Sequence, residues 1–256
     1  VPAKEELMAN QVDPRLAGVR PTVDTAASYD AGLRSYMLSI YNYMASGVLL
    51  TGIVALLVAN NPAILSLFYA ENAVGRVGPT ILGWVAMLSP LAIILVMNFG
   101  VNRLSEGALK ACFWGFAGLM GVSMSTIFIR YTGASIAQTF FVTAAAYGGL
   151  SLYGYTTKRD LSAMGKFLMM GLIGILVAMV ANIFFKSGPL QLGINIIGTL
   201  VFAGLTAYDT QRLKNLYSEV QGSAFIGKSA VLGALTLYLN FINMFQFLLS
   251  FMGDRR

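Results

Sequence analysis

The chain has 256 residues, 57% of them hydrophobic and 11% charged, against about a quarter charged in an average soluble domain. Apolar surface on that scale cannot be hidden inside one globule of this length, so lipid must solvate much of it. A formal net charge of +6 comes with no histidine and one cysteine. This excludes histidine-dependent zinc sites, serine–histidine catalysis, histidine proton relays and any intramolecular disulfide.

Residues 1–35 are polar and mixed in charge, with Pro2, Pro14 and Pro21. They are expected to form a cytosolic tail, partly disordered or lying on the membrane surface, with no cleavable signal peptide ahead of the first span. A membrane-spanning helix needs about 20 mostly apolar residues. Seven windows supply them, at 36–60, 80–102, 107–129, 134–156, 165–186, 190–212 and 229–252. The runs are continuous, as in MGLIGILVAMVANIFF, whereas barrel strands would alternate apolar and polar residues. The breaks carry turn residues: NNP at 60–62, GRVGP at 75–79, TTKRD at 156–160 and KSGP at 186–189. The fold class predicted is therefore an all-α integral membrane protein, a seven-helix transmembrane bundle over 36–256 behind the tail. Cys112, in the third span, reads as a small buried hydrophobe.

With the N-terminus inside, the tail, 102–110, 157–166 and 212–228 together hold 12 of the 17 lysines and arginines. The other side keeps Arg76, Arg130, Lys186, Arg255 and Arg256. That asymmetry predicts a cytosolic N-terminus and an external C-terminus. The positive charge then belongs to topology and lipid headgroups. No loop clusters cations with aromatics as a nucleic-acid surface would.

An ionisable group inside a bilayer costs about 2.5–3.5 kcal/mol at a helix centre, so each one marks a candidate site. Most charges here flank the spans: Arg103 and Lys110 bracket a tight turn, Lys166 and Lys186 sit at the ends of the fifth span, and Lys228 precedes the seventh. Asp209 alone lies inside a helix with apolar residues on both sides. One reading is an interfacial acid paired with Arg212 at i+3. An anion near a helix C-terminus opposes the macrodipole, which argues for a further partner. The last span offers one. Ser229, Gly233, Thr236, Asn240, Asn243 and Ser250 recur at spacings of 4, 3, 4, 3 and 7, forming a small, polar stripe that should face protein or a water-filled cavity. It is also suited to plain packing. Arg103 lies at the same end, and a guanidinium is a natural fork-shaped partner for a carboxylate. The expectation is a cluster of Asp209, Arg103 and Asn240 closing the cytosolic end of a central cavity. Asn98, Gln138, Asn182 and Asn195 are each expected to satisfy a nearby backbone group, and Pro90 to kink the second span.

GLTAYDTQRLK at 204–214 and LYLNFINMFQFLLSFMG at 237–253 resemble the Bax inhibitor-1 family, also called the transmembrane Bax-inhibitor-motif family. The similarity covers all seven spans, and YNYMASGV in the first resembles the bacterial branch. The resemblance implies a bundle whose last helix is wrapped by the other six. It further implies a pH-sensitive calcium leak across the membrane and, in eukaryotic members, suppression of cell death. Bacterial relatives have two aspartates, one in each of the last two helices, that share a proton, and an arginine ending the second helix that latches the first aspartate. Carried over, these fall on Asp209 and Arg103, but the second aspartate position is Asn240. An amide cannot ionise, so the shared-proton pair is lost and pH sensing should be weakened. The site implied comprises Asp209, Asn240, Arg103, Asn243 and Thr236, with Asp209 and Asn240 as transient calcium ligands through carboxylate and amide oxygens.

No enzymatic activity is expected. An intramembrane aspartyl protease needs a second aspartate in a span, a rhomboid-type protease needs histidine, and a retinal protein needs a lysine in its last helix. The alternatives to a calcium leak are a proton-coupled small-ion transporter and a non-conducting modulator of a membrane protease or cell-death regulator. No cofactor is expected beyond calcium as the transported ion. The expected partners are membrane lipids, calcium and a further membrane protein, with no nucleic acid.

Overall fold

The computed structural model describes residues 21–71 and 77–256, with side chains over 27–70 and 78–256. In chain order the elements are α1 (Pro21–Asn60), α2 (Pro62–Phe68), β1 (Tyr69–Glu71), β2 (Val77–Pro79), α3 (Ile81–Gly100), α4 (Glu106–Arg130), α5 (Gly133–Thr156), α6 (Ser162–Phe185), α7 (Gly188–Val220) and α8 (Ile226–Met252). Among the described residues α1, α3, α4, α6, α7 and α8 are long and apolar enough to cross a membrane. The remaining long helix, α5, has the length but carries Ser135, Thr139, Thr143, Tyr147 and Ser151, all buried along one face. Its polar side therefore turns inward. The outer surface is the reverse of a soluble protein's: Ile81, Phe99, Phe167 and Phe184 are each more than 70% exposed, an arrangement stable only in an apolar solvent.

The punctuation of the sequence becomes helix capping. Thr80, Ser105, Thr132 and Ser187 each accept a backbone N–H from the first turn of α3, α4, α5 and α7, worth about 1 kcal/mol apiece. Lys186 ends α6 in the left-handed conformation at φ 49°. Asp160 accepts the Ser162 amide at 2.9 Å ahead of α6, and the Ser162 side chain together with that amide holds its carboxyl below the usual aspartate range. Pro90 within α3 cannot donate to the Ala86 carbonyl. The hydroxyls of Ser89 and, from α4, Ser123 donate there instead, both at 3.1 Å, as a helix in lipid requires.

One expectation needs correction. Residues 21–35 do not stand apart as a tail, because α1 already begins at Pro21. Past Pro21, which suits a helix start, this stretch contains no further proline, and its one glycine, Gly32, sits where the Tyr217 hydroxyl leaves no room for a Cβ. Leu33 and Tyr36 are buried, and Tyr29 and Tyr36 pack their rings on Tyr217 of α7. The fold is all-helical apart from one short hairpin. The break after the first span holds α2 and an antiparallel hairpin pairing Tyr69 with Pro79. Residues 1–20 of the expected tail lie outside the described residues.

The last helix, α8, packs against α1, α4, α5 and α7, while α3 leans on α4 and α6 on α7. It is thus central, but four helices rather than six provide its principal contacts. The α3–α4, α5–α6 and α7–α8 turns share one end of the bundle, hereafter the basic end, with Arg103, Lys158 and Arg159 in them. At the opposite end the C-terminus is stitched to the α4–α5 turn, where Thr132 N–H donates to the Asp254 carbonyl and Arg256 N–H to that of Arg130.

Candidate functional site

Asp209 is the one charged side chain buried among the described residues, at 6% exposure. Its Oδ2 accepts from Asn240 Nδ2 at 2.8 Å, and its Oδ1 is 3.1 Å from Arg212 Nη2. Every side chain on a helix leans toward that helix's N-terminus. On antiparallel α7 and α8 the two therefore lean toward one another, which lets Asp209 and Asn240 meet. The facing residue expected from the stripe is the one found.

Arg103, expected as the partner cation, is not. It is exposed in the α3–α4 turn, and no ion pair to it is formed among the described residues. The reason is geometric: α3 packs on α4, away from α7, whereas Arg212 sits one turn along Asp209's own helix. Arg212 is about half exposed and lies 5.9 Å from the Tyr208 ring, so its charge bridges a buried anion and the solvent side. Thr236 and Asn243 bond the carbonyls of Leu232 and Leu239 in their own helix; neither bonds Asp209.

Beside this cluster a cavity of about 520 Å³ opens between α3, α7 and α8 at the basic end. Asn98, Tyr208, Arg212, Ser229, Gly233 and Thr236 are in its wall. The polar stripe of α8 thus divides, its first half lining the cavity and Asn240 lying behind Arg212 at the inner end. With one carboxylate and one amide carbonyl, the site offers few of the 6–8 oxygens calcium prefers. A cation held here would keep much of its water and dwell briefly.

The segment 208–211 spends each side chain in a different direction, which sequence reasoning missed. Tyr208 supports Arg212, and its ring packs where Gly165 of α6 leaves room. Thr210 bonds Ser151 of α5 at 3.0 Å, and Ser151 in turn bonds Tyr41 of α1 at 2.8 Å. Gln211 holds the α5–α6 turn, accepting from Leu161 N–H at 2.9 Å and donating to the Arg159 carbonyl at 2.8 Å. Four consecutive polar or amphipathic residues in one greasy helix were the available signal.

At the far end of the same helix pair, Asn182 donates to Gln191, Gln191 to Asn195, and Asn195 to Ser250, at 3.0, 2.9 and 3.0 Å. Asn98 bonds its own helix at the Ile94 carbonyl, as expected, and Asn182 also accepts the Ser187 N–H. Asn195 instead joins a side-chain relay, and Gln138 is exposed.

Inward-turned polar faces, an apolar exterior and a carboxylate–amide–guanidinium cluster beside a polar cavity define a multi-pass helical membrane protein with a candidate ion site. The model of the family described as inhibitor of apoptosis-promoting Bax1 matches residues 33–256, and the chain belongs to that family. It is 44% identical over 238 residues to the inner membrane protein YbhL of Escherichia coli K12, covering 92% of this chain and 98% of YbhL. An uncharacterized protein of Caulobacter vibrioides is 46% identical over 230 residues, covering 90% and 92%. Protein RP147 of Rickettsia prowazekii is 42% identical over 236 residues, covering 92% and 96%.

Proposed function

We propose that this protein is a passive calcium leak of the bacterial inner (cell) membrane, with Asp209 as the cation-attracting group of its gate. The observation that carries the reading is a buried carboxylate, tied to Asn240 and to Arg212, with Arg212 itself in the wall of a cavity open at the basic end. In this reading all seven long helices span the bilayer, α5 included, with the N-terminus in the cytosol. The basic end then faces the cytosol and the cavity is a cytosolic vestibule.

Arg212 is the gate's competitor cation. While its guanidinium holds Asp209, a divalent ion approaching through the vestibule meets a neutralised site and a fixed positive charge. When Arg212 swings toward solvent, where half of it already lies, the carboxylate and the Asn240 carbonyl become available. Coulomb attraction in such a half-dry site is several-fold stronger than in water. The reading is non-enzymatic, with calcium as cargo. Because Asn240 carries no ionisable proton, pH gating through a carboxylate pair is weakened.

The test is calcium efflux from liposomes holding the purified protein, with no proton gradient. Flux down the calcium gradient alone, lowered by Asp209→Asn, supports the leak. Flux only with an imposed proton gradient favours a proton-coupled transporter. No flux under either condition favours a non-conducting partner of another membrane protein.

A further inference from the structure

A groove of about 810 Å³ runs between α1 and α5, separate from the vestibule. It extends from Arg34 to Leu49 on α1 and from Tyr155 to Phe140 on α5, fifteen residue steps on each, or about 22 Å at 1.5 Å per residue. Its walls are almost entirely apolar, with Met37, Met44, Val48 and Leu152 among them, and Tyr41 and Ser151 bond across its floor. Its rim residues Leu49 and Leu152 are more than 60% exposed, so it opens sideways, toward lipid.

Three small residues, Ala45, Ala144 and Gly148, keep the groove deep. A Cβ at Gly148 would meet nothing within 4 Å. Glycine in a helix interior costs roughly 0.5–1 kcal/mol relative to alanine, and here no packed neighbour requires it. An extended hydrocarbon chain suits a groove of this length and apolar lining.

The charges sit at one end. Arg34 is exposed at the basic-end mouth and forms no ion pair among the described residues, with Lys158 and Arg159 exposed in the turn just past Tyr155. Lys214, from α7, reaches the Tyr155 carbonyl at 2.8 Å. Among the described side chains of α1 and the α5–α6 turn the acids are Asp30, one turn before Arg34, and Asp160, already bonded to the Ser162 amide. Among these same side chains Arg34, Lys158 and Arg159 outnumber Asp30 and Asp160, while the groove beyond them is apolar.

The geometry points to a binding site for one anionic phospholipid, with an acyl chain laid along the α1–α5 groove and its phosphate at Arg34. Because Ser151 of the groove floor bonds Thr210, next to Asp209, the lipid would brace the wall behind the carboxylate. The site does not depend on whether the protein conducts calcium.

The test is native mass spectrometry of the full chain in mild detergent, offered phosphatidylglycerol or phosphatidylcholine with the same acyl chains. One phosphatidylglycerol should be retained per chain, preferred by about fivefold, the scale of one basic residue at an anionic headgroup. Arg34→Gln, a surface change that leaves folding intact, should erase the preference, and Gly148→Trp should block retention of either lipid. Equal retention of the two lipids would overturn the proposal. So would a preference that survives Arg34→Gln, or a bound mass matching only a free fatty acid.

Discussion

The α7–α8 seam carries two polar rungs, and they behave differently. One is the neutral relay Asn182–Gln191–Asn195–Ser250; the other is the charged cluster Asp209–Asn240–Arg212. Asn195 and Asp209 are fourteen residues apart on α7, about 21 Å along the axis. Between them Phe202 stacks on Phe247 at 5.8 Å and Gly198 admits that ring. At the neutral rung each amide finds another amide or hydroxyl, and nothing there is ionisable. The charged rung needs a guanidinium half in solvent and lies behind a cavity. Polarity inside the bundle is thus of two kinds, one satisfied by packing and one coupled to the outside.

The sharpest way to break this comparison is to remove the charge. Asp209→Asn keeps the shape of the side chain and an acceptor for Asn240, so the fold should persist. Calcium flux in liposomes should fall about tenfold, the equivalent of ~1.4 kcal/mol of lost cation stabilisation. Unchanged flux would reduce Asp209 to a structural acid like its neutral counterparts.

Removing the competitor should act the other way. Arg212→Ala frees the carboxylate, and basal flux should rise about fivefold, a gain near ~1 kcal/mol. Arg103→Ala, in its exposed turn, should leave flux within about twofold of the parent. If the Arg103 variant leaks and the Arg212 variant does not, the pairing seen on α7 is not the one that gates.

Next comes pH. The parent protein has one carboxylate in the rung, so its flux should vary little between about pH 6 and 8. Asn240→Asp places two carboxylates in contact, and such a pair titrates as a coupled unit because both cannot readily ionise. Flux of that variant should become steeply pH-dependent across the same range. A parent already steep there, with nothing added by the substitution, would locate the proton sensor elsewhere.

The smallest expected effect is on the neutral rung. Asn195→Ala leaves Gln191 and Ser250 each short of one bond, and a hydrogen bond between membrane helices is worth about 0.6 kcal/mol on average. Thermal unfolding in detergent should register a loss of that order while calcium flux stays near parental. A large change in flux would mean that the two rungs are coupled along the seam.

What the sequence by itself determined is local to single helices. Composition made lipid the solvent, continuous apolar runs located the long helices, and a threonine or serine capped four of them. The search for charge within a span singled out Asp209, and the four-and-three spacing on the last helix brought forward Asn240, because helical periodicity puts residues on one face whatever surrounds them. Tertiary structure alone decided which cation reaches the carboxylate. Arg103 and Arg212 lie at the same end of the bundle, and only the lean of α3 toward α4 separates the first from Asp209. Crossing and rotation of helices are likewise what open the vestibule between α3, α7 and α8, leave a groove between α1 and α5, and send Thr210 and Gln211 to different neighbours. Those relations hold between faces of separate helices, and the periodicity of one strand of sequence carries no information about the angle at which another helix meets it.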